Sequence, residues 1–139
     1  MFQATLEAVL EAGYSARFVA RGDSMHPAIR DGEALHVTRC EPASLEVGQV
    51  VLVRATRGLT AHRIIEIRRE SSRIITRGDS CLRADPELDF EDICARVTAV
   101  ERKGVPIRLF DDPLTLFTLP RRIVMHWRSV RPRFQCRLQ

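Results

Sequence analysis

Along the chain the spacing of apolar residues changes once from helical to alternating, and the change divides the sequence. Phe2, Leu6, Val9 and Leu10 stand at i, i+4, i+7 and i+8, with Glu7 and Glu11 on the other side. This spacing predicts an amphipathic helix of about three turns, which Gly13 ends. From there period two takes over. Strands are predicted over residues 15–21, 34–38, 49–54, 59–69, 73–76, 93–101 and 105–110, separated by turns at Asp31-Gly32, Gly48, Gly58, Ser71-Ser72 and Gly104. Short strands at this spacing with no helices between them argue for a mainly β fold, an antiparallel β-barrel or coiled sandwich, and against βαβ units. The last stretch differs again: Leu114, Leu116, Phe117, Leu119, Ile123, Val124, Met125 and Trp127 form an apolar-rich run expected to be a C-terminal helical tail, with Pro120 at its first turn or breaking it.

Length adds that this is one domain. The 139 residues are enough to bury a core without disulfides or metal. Residues 1–13 form the helix, 14–110 the β-rich core and 111–139 the basic tail. No apolar run approaches a membrane span, and the first residues lack the basic start and apolar block of a secretory signal. A cytoplasmic location follows as an expectation. Cys40, Cys81, Cys94 and Cys136 show no C-x-x-C spacing, so neither a zinc site nor a redox pair is expected, and no cofactor is implied. From Val105 onward seven arginines face Asp111 and Asp112. Such a tail can touch the inner face of a membrane or an acidic partner by charge, although a solvated or self-packed terminus is the commoner outcome; nucleic acid is not an expected partner.

Three stretches carry chemistry. Arg21-Gly22-Asp23-Ser24-Met25-His26-Pro27 puts a serine on a glycine bend stopped by a proline. Ala61-His62-Arg63-Ile64 sets a histidine at the head of an apolar strand. Gly78-Asp79-Ser80-Cys81-Leu82-Arg83-Ala84-Asp85 carries two carboxylates on a turn. A serine hydroxyl becomes a nucleophile when a base takes its proton. Histidine, titrating near ~6.5, accepts one at neutral pH, and a carboxylate on its second nitrogen fixes the tautomer. Ser24, His62 and either Asp79 or Asp85 can supply these roles. Each also has a plainer reading: a turn serine, a strand-end histidine bonded to backbone, and Asx-turn aspartates. Asp31 reads as a turn residue, and His26, His36 and His126 as structural or surface residues.

The order Gly22-Asp23-Ser24-Met25-x-Pro27, Asp31-Gly32, Gly48-x-Val50-Val51, His62-Arg63-Ile64 and Gly78-Asp79 with a second aspartate at Asp85 resembles the superfamily of signal peptidases and LexA-like repressor peptidases, over about residues 19–100. The His-Arg pair resembles the histidine-type branch, the signal peptidases of the endoplasmic reticulum, where the bacterial enzymes have lysine. The resemblance implies Ser24 as nucleophile, His62 as general base and Asp85 as the orienting acid. Asp79 is then near the site and second in line for that role, and Met25 lines the cleft. It further implies a β-rich catalytic fold, a peptide substrate held extended beside a strand, and cleavage after a small residue. Two positions depart from the pattern: Gly22 stands where the bacterial enzyme has a hydroxyl for the oxyanion, and Gln49 where an aspartate is usual. The expected function is a soluble, signal-peptidase-like serine endopeptidase.

Three alternatives belong beside it. A binding or regulatory module could keep the peptidase fold without catalysis. A Ser-Lys dyad would need Lys103, the single lysine, which sits on a turn away from the family's lysine position. A self-cleaving regulator would cut at Ala12-Gly13, a dipeptide that reads more simply as the end of a helix.

Overall fold

The computed structural model describes residues 2–56 and 58–109. Helical spacing at the N-terminus produces α1, Phe2–Glu11, which buries Leu6 and Leu10. Gly13, at φ +83°, lets the chain turn back, so that the Gly13 and Tyr14 N–H groups donate to the Leu10 and Val9 carbonyls. The alternating region gives β1 (Ala16–Val19), β2 (Ala34–Thr38), β3 (Val50–Ala55), β4 (Gly58–Arg68), β5 (Arg73–Arg77), β6 (Leu88–Asp89), β7 (Ile93–Arg102) and β8 (Val105–Arg108). All pairings are antiparallel in a single sheet of order β1-β2-β7-β3-β4-β5-β6, and β8 also pairs with β7.

The sheet curls into a half-barrel with the helix packed on it. Register shifts at His36/Val37, Leu52/Val53 and Ile64/Glu66 mark the bends, where an extra residue increases local twist. β3 shows why its sequence is continuously apolar rather than alternating. Val50 and Leu52 enter one core with Leu6, Leu10, Leu35 and Val97, while Val51 and Val53 enter a second with Leu45, Ile64 and Ile74. Successive side chains leave a strand on opposite faces, and here both faces are covered. Each such side chain contributes about 1.5–3 kcal/mol on burial, which holds β3 at the centre of the fold.

Several expectations change in detail. An eighth strand exists: Leu88–Asp89 pairs with Ile74 and Arg73, in a region read as loop because only two residues follow the rules of a strand. The strand expected over 15–21 stops at Val19, because the chain bends at Ala20, whose N–H donates to the Glu33 carbonyl while its own carbonyl accepts from the Gly32 N–H. The predicted helical tail, 111–139, lies outside the described residues. Among the described residues no helix is long and apolar enough to cross a membrane.

Candidate active site

β1 delivers the chain into the serine turn, and local bonding fixes that turn from below. Gly22, at φ +96°, turns its N–H onto Asp31 Oδ1 at 2.8 Å, so Asp31 braces the loop as a turn residue should. The Ile29 N–H donates to the Met25 carbonyl at 2.9 Å, closing the loop beyond the serine. Ser24 is thereby held with 8% of its surface exposed and Met25 with 2%. Neither the hydroxyl nor the N–H of Ser24 makes a hydrogen bond within the described residues.

His62 comes from the middle of β4, opposite Val51 of β3, and is 8% exposed. Its Nδ1 donates to Asp85 Oδ2 at 2.5 Å. The same oxygen accepts from Thr76 Oγ1 at 2.7 Å, and the Asp85 N–H closes the loop onto the Thr76 carbonyl at 2.8 Å. A carboxylate only accepts, so this bond keeps the ring proton on Nδ1 and leaves Nε2 with its lone pair.

Nε2 faces Gly78. A methyl group built on that glycine would lie 2.6 Å from the Ser24 carbonyl oxygen, 2.7 Å from Cys81 Sγ and 3.0 Å from His62 Nε2. Three groups from three separate stretches therefore pack closely on residue 78, an approach that only the absence of a Cβ allows. No hydrogen bond joins Ser24 Oγ to Nε2 here. Ser80 stitches the two loops together: its N–H donates to the Ser24 carbonyl at 3.0 Å, and its hydroxyl to the Asp23 carbonyl at 2.7 Å.

The two aspartates separate. Asp79 takes both oxygens to Arg63, at 2.7 Å from Nε and 2.6 Å from Nη2, and Arg63 Nη1 donates to the Gly48 carbonyl at 2.7 Å. The Asp79 carboxylate holds the Arg63 guanidinium above its ordinary pKa. In this structure Asp79 is thus the anchor of its loop on the β3–β4 side rather than a partner of the imidazole, and Asp85 takes the ring. Gln49, fully buried, spends its side-chain oxygen on the Glu46 N–H, so its departure from aspartate affects only that turn.

Beside Ser24 lies a cavity of about 20 Å³ walled by Phe18, Ala20, Met25, Ile29, Leu35 and Ala61 among others. A space that size admits about one water-sized group. Ser80, Thr76 and Arg63 are positioning residues that the sequence reading passed over. Their signal was adjacency to Gly78-Asp79 and His62, which is weak because serine, threonine and arginine are ordinary in turns and strands. Lys103 sits on the β7–β8 turn at φ +50°. Among the described residues no group of three His, Cys, Asp or Glu side chains could hold a metal ion.

The chain matches no protein-family model, and no curated protein or solved structure is similar to it.

Proposed function

We propose that this chain is a signal-peptidase-like serine endopeptidase with Ser24 as nucleophile, His62 as general base and Asp85 as orienting acid. One observation carries the reading: a histidine on β4 is held through Nδ1 by an aspartate from a distant loop, while its Nε2, with no hydrogen bond among the described residues, lies beside Gly78, on which the Ser24 main chain also packs. A purely structural histidine has no need of that division between its two nitrogens.

In the proposed reaction the Ser24 hydroxyl proton passes to Nε2 as Oγ bonds the substrate carbonyl carbon. The uncommitted Ser24 N–H is placed to donate to the developing oxyanion. The imidazolium, stabilised by Asp85, returns the proton to the leaving amine, and an acyl-enzyme remains. Water, deprotonated by the same nitrogen, then releases the acid. The reaction requires the Ser24 hydroxyl to come within hydrogen-bond reach of Nε2, a bond that commonly tightens only when substrate binds. The small apolar cavity beside Ser24 suits a residue with a methyl-sized side chain. β1 ends the sheet with one edge unpaired among the described residues, and an extended peptide can bond along such an edge.

A second reading, a binding module that keeps this fold without catalysis, draws on the unmade Ser24–His62 hydrogen bond and on Gly22, which brings no hydroxyl to the oxyanion. Labelling with a fluorophosphonate read by intact mass separates the two. The peptidase reading expects one adduct on Ser24, lost in Ser24→Ala and in His62→Ala; a folded protein that never labels supports the binding module.

A further inference from the structure

Arg21 lies just past the end of β1 and three positions before Ser24. It lines the cavity beside that serine, and no other charged residue among those described does so. Its pairing sets it apart from other arginines of the fold. Arg17, Arg63 and Arg102 each grip one carboxylate through two nitrogens, with closest approaches of 2.8, 2.6 and 2.5 Å. The carboxylate that Arg21 meets, Asp31, stands 4.0 Å from Nη1 and turns its other oxygen onto the Gly22 N–H. A pair at 4.0 Å is longer than a hydrogen bond, so the N–H donors of this guanidinium are unspent among the described residues. The head group nevertheless has a definite place. Nη1 would lie 3.7 Å from a methyl on Gly32, which sets it over the Asp31-Gly32 turn with 48% of the side chain exposed.

We infer that Arg21 is a specificity-determining residue that binds an aspartate or glutamate side chain of the peptide near the scissile bond. The inference rests on the peptidase reading and gives it a substrate class: peptides that are acidic beside the cut. Among the described residues the outer edge of β1 is unpaired, and a peptide bonded along it toward Ser24 passes residues 20–22. An extended peptide advances about 3.3 Å per residue, so acidic side chains within about three residues of the scissile bond come into the range of Arg21. The planar fork of a guanidinium suits a carboxylate, which it can hold by two parallel hydrogen bonds. An incoming acid therefore completes the bonding that Asp31 leaves open, while Asp31 continues to hold Gly22. The position is half-exposed and water competes there, so the preference is expected to be modest, about fivefold.

The test follows fluorophosphonate labelling of Ser24 in the full chain while alanine-based decapeptides compete for the site. Three peptides are used, alike except that the positions flanking a central Ala-Ala hold Glu, Gln or Lys. The Glu peptide is expected to protect Ser24 at a concentration about fivefold lower than the Gln peptide, and the Lys peptide to protect least. The advantage of Glu should shrink as salt is raised. In Arg21→Gln the Glu and Gln peptides should protect alike, in Arg21→Lys the order should survive with a smaller margin, and in Arg21→Glu the Lys peptide should protect best. A reversal of order with the sign of the charge is something a merely structural role for the arginine would not produce. Equal protection by Glu and Gln in the wild-type chain, protection by none of the three, or a Glu preference that persists in Arg21→Gln overturns the inference and leaves the peptidase reading standing. Binding of the chain to phosphatidylglycerol vesicles through Arg21, with no preference among the peptides, also overturns it and makes the arginine a lipid contact. Protein that never labels at Ser24 overturns the peptidase reading, and the inference falls with it.

Discussion

Two cavities among the described residues, one large and one small, are built on opposite principles. Between α1 and the sheet runs a groove of about 470 Å³ lined by Glu7, Leu10, Arg39, Cys40, Arg54 and Cys94, among others. Its polar groups are largely spent on one another: Arg54 Nη2 donates to Glu7 Oε1 at 2.8 Å and its Nη1 to the Glu91 carbonyl, Arg39 pairs with Glu41, and the Cys94 thiol points at Glu7. The notch at Ser24 is about 20 Å³, yet its lining includes a serine whose hydroxyl and N–H bond nothing within the described residues. Chemistry follows from polar atoms held in place and left unspent, and volume alone is a poor guide to it.

The comparison breaks most easily at Asp85. Asp85→Asn is expected to lower fluorophosphonate labelling of Ser24 by about 10⁴-fold with the fold retained, since the ring loses the acceptor that sets its tautomer; labelling within tenfold of wild type would leave the notch without its organising bond. Gly78→Ala comes next. Its new methyl would press on the Ser24 carbonyl at 2.6 Å, and shifting that backbone is expected to cost about 1–3 kcal/mol and about 10² in rate, read by urea denaturation beside labelling.

Asp79→Asn sharpens the contrast within one loop. It should destabilise the chain by about 1–3 kcal/mol by leaving Arg63 poorly paired, while labelling falls far less than in Asp85→Asn. These two aspartates also mark the limit of what the sequence made legible. Ser24 on a glycine bend and His62 ahead of an apolar run carry local signatures, and so did a carboxylate pair on a later turn. Which carboxylate meets the ring depends on Arg63 reaching across from β4 to take Asp79, a tertiary fact with no local signal. The strand boundaries were legible for the same reason as the helix, because period and turn residues act over a few positions. The strand order was not, since insertion of β7 between β2 and β3 joins segments far apart in sequence. β6 was missed because two residues after a proline carry no periodicity.

Acid provides a weaker test, one that acts away from the notch. Hydrogen bonds from Arg54, Arg102 and Arg17 hold the carboxyls of Glu7, Glu33 and Glu101 below their ordinary 4.5, Glu101 down to about 2. A depressed carboxyl contributes stability that is complete above its unfolded value and disappears as pH falls through its folded one. The urea midpoint should therefore hold above about pH 5 and fall progressively between 4.5 and 2; an unchanged midpoint at pH 3 would show that these pairs add nothing. The smallest effect is expected in the groove, where Arg39→Gln, on an exposed rim, should leave Ser24 labelling within about twofold. A large loss there would put the chemistry in the larger cavity after all.

The position of β7 has a consequence for timing. Ser24 stands on the β1–β2 side of the sheet and His62 with Asp85 on the β3–β6 side, and β7 is the strand that joins the two. A nascent polypeptide that has emerged only as far as residue 92 already carries every group of the proposed machinery, but it lacks the strand that brings its two halves together. During biosynthesis the hydroxyl and the imidazole remain strangers until residues 93–102 leave the ribosome, so competence would arrive in a single step once β7 has emerged.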